Sequence, residues 1–300
     1  MKKTFFYFAM AACVSAGFVA CGSDGDDYVA PKVEVQLPLP EYASEAVSFD
    51  NIAEVESSGA ELESINFTEG GKAILEIDGD YYSYDYTVSN GLYTLTDGGK
   101  TIGTVKETTA RGASSQGTAI EINISVTIGG VTYSFNSADA AANKVTASEM
   151  IGNTNLNNVA RSWTVKTMAL ALDGDVSMMK RYDSGDLSQL AKDANENGAG
   201  LTADEVAQLN KTFNGVEFTK YGKLFINYTE QGKTHIVSVD WSSSDFENFL
   251  VKAISENNKF ISNGSSIEVA FNEAGGCLFT FKTTIRGNKT YNAQLSVVLQ

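Results

Sequence analysis

Histidine, proline, cysteine and positive charge are all scarce in this chain of 300 residues, and each shortage excludes something. There is one histidine, His235, so neither a three-histidine zinc site nor a histidine pair can be assembled within one chain. Lys and Arg number 22 against 37 Asp and Glu, a net charge of −15. Such a chain lacks the basic face that nucleic acid or an anionic membrane requires, and no nucleic-acid partner is expected. A G-x-S-x-G nucleophile elbow is missing, so the lone histidine has no such serine to serve. Gly98-Gly99-Lys100-Thr101 ends like a P-loop, but the first glycine of that motif would fall at Thr94 and the surrounding pattern is a hairpin. What is present is apolar residue in quantity. At 43% hydrophobic the chain has enough for two ordinary domains and too much for a disordered one.

The N-terminus has the pattern of an export leader. Lys2 and Lys3 precede an uncharged run, Phe5 to Val19, which is short for a membrane span. The run closes on Phe18-Val19-Ala20-Cys21, followed at once by Gly22-Ser23-Asp24-Gly25-Asp26-Asp27. This junction resembles the lipobox of bacterial lipoproteins, in which the cysteine becomes the acylated first residue; Phe18 stands where leucine is usual. A rival box at Met10-Ala11-Ala12-Cys13 would leave a shorter apolar run and an apolar mature terminus. Residues 1–20 are therefore expected to be a signal peptide, with lipidation at Cys21. The acidic stretch after Cys21 is similar to the export signal of surface lipoproteins in Bacteroidetes, which implies an outer-membrane, cell-surface location. Contact with the membrane would then come through the lipid, multiple acyl chains holding where one does not. Of the three cysteines only Cys277 would remain free, so no intrachain disulfide is expected.

All three prolines fall at 31, 38 and 40. Residues 21–41 read as an acidic, proline-containing tether, with Val29 to Glu41 a stiff stalk; ten such residues reach roughly 30 Å. The alternative is a first edge strand over Lys32 to Leu37, where Val33, Val35 and Leu37 alternate.

Beyond the tether the pattern is mainly β. Period-two segments rich in Ile, Val, Thr, Tyr and Phe alternate with Gly, Asn and Asp turns. Strands are expected at 73–77, 81–88, 93–96, 101–107, 120–128, 131–136, 163–171, 215–218, 224–229, 234–241, 267–272, 278–284 and 291–299. The chain also repeats itself. Phe67-Thr68-Glu69-Gly70-Gly71-Lys72 matches Phe218-Thr219-Lys220-Tyr221-Gly222-Lys223 at an offset of 151. Gly98-Gly99 with Lys106 to Thr109 parallels Gly275-Gly276 with Lys282 to Thr284, and Ile122 to Val126 parallels Ala293 to Val297, at a larger offset. The difference calls for an extra segment of about 25 residues in the second half. A capping box at Ser244-Asp245-Phe246-Glu247, opening an apolar stripe of Phe246, Phe249, Leu250, Ala253 and Ile254, makes that segment a helix. Asp186 to Phe213, broken at Asn197 to Gly200, reads as an αα-hairpin. Ser137 to Ala160 lacks alternation and holds the boundary, giving domains at 42–145 and 146–300.

Asn158-Val159-Ala160-Arg161-Ser162-Trp163-Thr164-Val165 followed by Phe218-Thr219-x-x-Gly222 resembles the opening of the lipocalin-like domains of uncharacterised Bacteroidetes lipoproteins. The resemblance covers the start of the second domain. It implies two tandem antiparallel β-barrels or sandwiches, the second with the αα-hairpin and one further helix inserted, and it carries no known activity.

Three groups of residues offer chemistry. Asp80, Tyr82, Tyr84, Asp85 and Tyr86 lie on one strand, and tyrosines beside carboxylates suit sugar stacking and hydroxyl bonding. Tyr82, Tyr84, Tyr86 and Val88 share one face of it; Tyr81, Ser83, Asp85 and Thr87 share the other. The same row is also what a core face and a surface face would look like. Asp193, Asn195, Asn197 and Asp204 have the beginnings of an EF-hand loop for calcium. Its end does not fit, because Glu205 falls at position 13, and the αα-hairpin explains every residue without metal. His235 alternates with Val237, Val239 and Trp241, which makes it a partly buried structural residue, and Trp163 and Trp241 read as core. With 37 acids no carboxylate pair stands out, so no catalytic residue is assigned. The sequence thus points to a non-enzymatic envelope lipoprotein that binds a glycan or small amphipathic ligand. A structural or assembly subunit of a surface complex is the alternative, and a carboxylate-based hydrolase a third.

Overall fold

The computed structural model describes residues 35–108, 117–147, 154–172, 175–196, 202–245, 250–254, 266–271, 275–286 and 290–300. It is mainly β. The first sheet contains β1 (Val47–Ala53), β2 (Glu56–Ser57), β3 (Leu62–Phe67), β4 (Lys72–Ile77), β5 (Asp80–Ser89), β6 (Leu92–Asp97), β7 (Lys100–Glu107), β8 (Thr118–Ile128) and β9 (Val131–Thr146). Its order is β1-β3-β4-β5-β6-β7-β8-β9-β2, all antiparallel, and β1 also pairs with β9. That last pairing closes an eight-stranded barrel with β2 outside the ring.

The second sheet follows α1 (Thr154–Val159). Its strands are β10 (Ser162–Leu172), β11 (Asp175–Tyr182), β12 (Lys211–Phe218), β13 (Lys223–Glu230), β14 (Lys233–Asp245), β15 (Leu250–Ile254), β16 (Ser266–Phe271), β17 (Cys277–Arg286) and β18 (Thr290–Leu299). Its order repeats that of the first, β11-β10-β12-β13-β14-β15-β16-β17-β18 with β10 also on β18, so it too returns on itself. Two helices, α2 (Leu187–Glu196) and α3 (Ala203–Gln208), lie between β11 and β12. Asp186 caps α2, its Oδ1 accepting from the Ser188 N–H at 2.9 Å.

Alternation explains the strands. In β8, Ile120, Ile122, Ile124 and Val126 are all but inaccessible, while Glu121, Asn123, Ser125 and Thr127 between them are exposed. Ser137 to Thr146 belongs to β9, not to a linker: its alternation is carried by alanines, with Ala140 and Ala142 in the core. The helix expected over 244–254 is a strand where it is described. Leu250 to Ile254 pair with β14 on one side and β16 on the other. A ring of strands needs a member there, and that tertiary demand overrides the local helical spacing; Phe246 and Phe249 lie outside the described residues. The αα-hairpin likewise stops short of Phe213, which lies in β12.

One of the three internal matches joins equivalent places. The F-T-x-x-G-K stretches connect β3 to β4 and β12 to β13, the same step in both sheets. Gly98-Gly99, by contrast, joins the fifth and sixth strands of its ring and Gly275-Gly276 the sixth and seventh; Ile122 to Val126 is in a seventh strand and Ala293 to Val297 in an eighth. Those two matches are displaced by one strand and so do not measure an inserted segment, and no helix stands there among the described residues. The second half also carries additional residues earlier, between β10 and β12.

The shared turn is the same in atomic detail. Thr68 and Thr219 each receive the following lysine's N–H on their hydroxyl, at 3.2 and 3.0 Å. Their own N–H groups reach that lysine's carbonyl at 2.9 and 3.0 Å. Gly71 and Gly222 take the left-handed conformation that closes the turn (φ 78° and 90°). An aromatic residue then clasps each turn from the next strand. Tyr86 donates its hydroxyl to the Thr68 carbonyl at 2.9 Å and its N–H to the Gly71 carbonyl at 3.1 Å. Trp241 donates its indole N–H to the Thr219 carbonyl at 3.1 Å and its N–H to the Gly222 carbonyl at 2.8 Å.

The proline-containing stretch is neither free stalk nor strand over residues 35–40. Leu37 is 5% exposed and belongs to the core of the second barrel. The fully buried Asn158 holds it with both halves of its amide: Oδ1 accepts from the Leu37 N–H at 2.8 Å and Nδ2 donates to the Val35 carbonyl at 2.6 Å. Arg161 adds a bond to the Pro38 carbonyl at 3.0 Å. Pro38 and Pro40 have no N–H for a ladder, so side chains do what a neighbouring strand would. The chain is strapped to the second barrel before it builds the first. Asn158→Ala removes both amide bonds and is expected to cost about 2 kcal/mol, read as a lower urea midpoint with faster proteolysis ahead of residue 41; an unchanged midpoint would mean the strap is not held.

Candidate functional site

The first barrel has two different ends. One carries the Thr68 to Gly71 and Asn90-Gly91 turns; the other carries the Asp78-Gly79, Gly98-Gly99 and Gly129-Gly130 turns. At the Thr68 end the interior is filled. Phe67 stacks on Tyr93 (centroids 4.1 Å) and meets Tyr86 edge-on (4.9 Å). Tyr86 is 2% exposed and committed to the Thr68 carbonyl, so it is a core residue and offers nothing to a ligand.

Towards the other end the same inward face of β5 is less buried. Tyr84 and Tyr82 still pack against the core but are part-exposed, as are Tyr133 of β9, Ile102 and Ile128. Acids stand beside the rings. Burial pushes the Tyr84 hydroxyl up to about 12, with Asp97 the next cause. The Tyr82 hydroxyl is raised by burial first, then by Asp80, Tyr133 and Asp78. Asp80 is exposed on the same face of β5, beside Tyr82. Asp85 points to the opposite side of the sheet, where it pairs with Lys72 at 2.5 Å, and is not part of the group. Tyr133 and Asp97 were not singled out by sequence reasoning; Tyr133 sits in an alternating strand like any core aromatic, and closure of the ring brings it near Tyr82.

A cavity of about 390 Å³ opens at the filled end instead, between Glu45, the Asn90-Gly91 turn, Lys106, Glu107 and Lys144. Its charges are mixed, Lys144 pairs with Glu107, and Tyr93 beneath it spends its hydroxyl on the Glu45 carbonyl at 3.1 Å.

In the second barrel, His235 stacks on Tyr228 (5.2 Å, 20°), and Lys211 lies 5.3 Å over the same ring and 3.5 Å from Glu230. These inward residues form a packed polar end. Trp163 and Trp241 are core, at 3% and 5% exposure. Cys277 is buried, and burial raises its thiol pKa well above the ordinary value, leaving an unreactive thiol. Asp193 and Asn195 lie inside α2 rather than in a loop, and Asp193 accepts the Tyr182 hydroxyl at 2.8 Å. Asp204 is in α3 and Asn197 lies outside the described residues. Among the described residues no three His, Cys, Asp or Glu side chains gather to hold a metal. Cys21 also lies outside the described residues.

A fully buried carboxylate, Glu69, lies between the barrels. The outward residue Ile74 of β4 and its repeat counterpart Phe225 of β13 are each 1% exposed, far below what an outer barrel face allows unless something covers it. Each barrel covers the other: Tyr81 meets Phe225 edge-on at 6.0 Å, and Lys223 reaches Asp50 at 2.7 Å. At the two F-T turns, Glu69 Oε1 accepts the Lys220 N–H at 2.9 Å, and Glu217 Oε2 accepts the Thr68 hydroxyl at 3.1 Å. A Cβ placed on Gly70 would stand 1.9 Å from Ser162 Oγ, so a glycine is required for this approach. The sequence signal for the seam was the repeat itself, read as evidence of kinship rather than of contact.

Comparison with protein-family models, with curated proteins and with solved structures gave no match. Phe225→Ala is expected to destabilise the chain by about 3 kcal/mol, the cost of a core residue, although Phe225 faces out of its own barrel. A denaturation midpoint within error of the unsubstituted chain would mean that the two barrels do not cover each other.

Proposed function

We propose that this chain is a lipid-anchored protein of a bacterial envelope, acylated at Cys21, and that the open end of its first barrel binds a glycan or a small amphipathic ligand without chemistry. The leader pattern supports the address: a basic start, a short apolar run, then cysteine and an acidic stretch. The two sheets are best read as tandem lipocalin-like barrels arising by duplication. Their common strand order and the twice-built, aromatic-clasped F-T turn support this.

The observation that carries the binding role is the gradient along one face of β5. Tyr86 is sealed in the core, whereas Tyr84 and Tyr82 are part-exposed, with Tyr133, Asp80 and Asp97 near them. Part-exposed rings supply faces for sugar stacking or apolar chain contact, and carboxylates beside them supply acceptors for hydroxyl groups.

Screening the protein against a glycan array and a panel of amphipathic small molecules should give a ligand whose affinity falls at least about tenfold in a Tyr82→Ala, Tyr84→Ala double variant and is unaffected by Asp85→Asn. Binding that ignores the tyrosines, or no binding across both panels, would remove the reading. The address has a separate test. Labelled palmitate should be incorporated by the unsubstituted chain and not by Cys21→Ser, and incorporation that survives the substitution would contradict it.

A further inference from the structure

Two carboxylates lie where the barrels meet, Glu69 fully buried and Glu217 part-buried, and neither makes an ion pair among the described residues. Glu69 is 0% exposed. One of its oxygens takes the Lys220 N–H, and the other, Oε2, is buried with no hydrogen-bond partner. Glu217 comes from the other barrel and turns its carboxylate under the Thr68 to Gly70 turn, against Thr68 and Ser162. The remaining charged and titratable groups facing this pair are few. Lys220 is buried beside Glu69, and burial lowers its own pKa; Arg161 faces Lys220. Lys72 faces Glu217. Tyr221, whose hydroxyl is buried without a partner, and Tyr86 face Glu69, with both phenols pushed up mainly by burial. Asp50 is already paired with Lys223.

We infer that the seam between the barrels is a pH-responsive joint, closed while Glu69 and Glu217 are protonated and loosened when the two ionise toward each other. The geometry requires a cost for ionisation: a buried carboxylate oxygen without a donor has lost its water and gained nothing. Protonated, that oxygen no longer carries an uncompensated charge. Burial raises both carboxyls from 4.5 to about 7. The sign follows from linkage. A carboxyl whose pKa is raised in the closed state gives stability that is complete below its ordinary value, and this stability is lost as pH rises through about 7. The two carboxyls come from different barrels and hold each other's turns, so the loss is felt at the joint rather than within either barrel. The inference concerns the relation between the barrels and does not depend on what the first one binds.

The Lys220 amide reports on the joint directly, because its N–H is bound by Glu69 from across the seam. Amide exchange on the intact chain, corrected for the intrinsic rate, should show Lys220 protection falling by about tenfold or more between about pH 5.5 and about pH 8.5. Small-angle scattering over the same range should show the particle lengthening. In a Glu69→Gln, Glu217→Gln double variant both readings should be level with pH and resemble the acid form. If the double variant does not fold, the unsubstituted chain and Glu217→Gln alone still decide. Protection and dimensions that are flat in the unsubstituted chain, or a Gln variant that follows pH as the parent does, would overturn the joint.

Discussion

Everything in this fold depends on one small arrangement made twice: a threonine-led turn pinned by the aromatic residue of the next strand. Tyr86 and Trp241 differ in shape and in donor atom, yet each gives a side-chain hydrogen to the threonine carbonyl and a backbone hydrogen to the glycine carbonyl. The carbonyl of a tight turn has no ladder partner of its own, and inside a barrel wall it has little water either. Supplying donors to it fixes the register of three strands at once. The ring that supplies them also fills the closed end of its barrel. A hydroxyl or an indole N–H will do because both put a donor at the rim of a large apolar body.

The same turns hold the barrels to each other. Outward positions on a barrel are normally polar, and Ile74 and Phe225 break that rule at corresponding places, with their burial supplied by the facing barrel. Around this apolar contact the polar groups are enclosed with them: Glu69 on Lys220, Glu217 on Thr68, Lys223 on Asp50. The strap at residues 35–40 adds a second link, since the chain enters through the core of the second barrel before forming the first. The part-exposed Tyr82 and Tyr84 lie towards the end away from the first barrel's F-T turn.

Much of the fold was legible in the sequence because antiparallel strands with one buried face alternate by necessity. β8 could be read residue by residue. What failed did so for identifiable reasons. β9 continues through Ala140 and Ala142, whose alternation a hydrophobicity reading does not register as strand. Leu250 to Ile254 has helical spacing and still forms β15, because the ring has a gap there that only a strand can fill. Two of the repeat matches were one strand out of step, since neighbouring strands of a barrel have nearly interchangeable patterns. The face shared by Tyr82, Tyr84 and Tyr86 was visible from parity alone. Which of the three was sealed in was not, because depth along a barrel is set by turns and by residues distant in sequence. Glu69 and Glu217 were present in the sequence as ordinary acids, and nothing local marks a carboxylate that another domain will cover.

The central claim is that the two F-T turns are packed against each other, and a cross-link tests it most directly. Lys223 of the second F-T turn lies 2.7 Å from Asp50 of the first barrel, close enough for a zero-length cross-link. The account predicts that carbodiimide joins Asp50 to Lys223 within single molecules of the unsubstituted chain, read by mass spectrometry of the digested monomer, and that Lys223→Arg abolishes the joined peptide. No such peptide from the monomer, or one found only in cross-linked dimers, would contradict it.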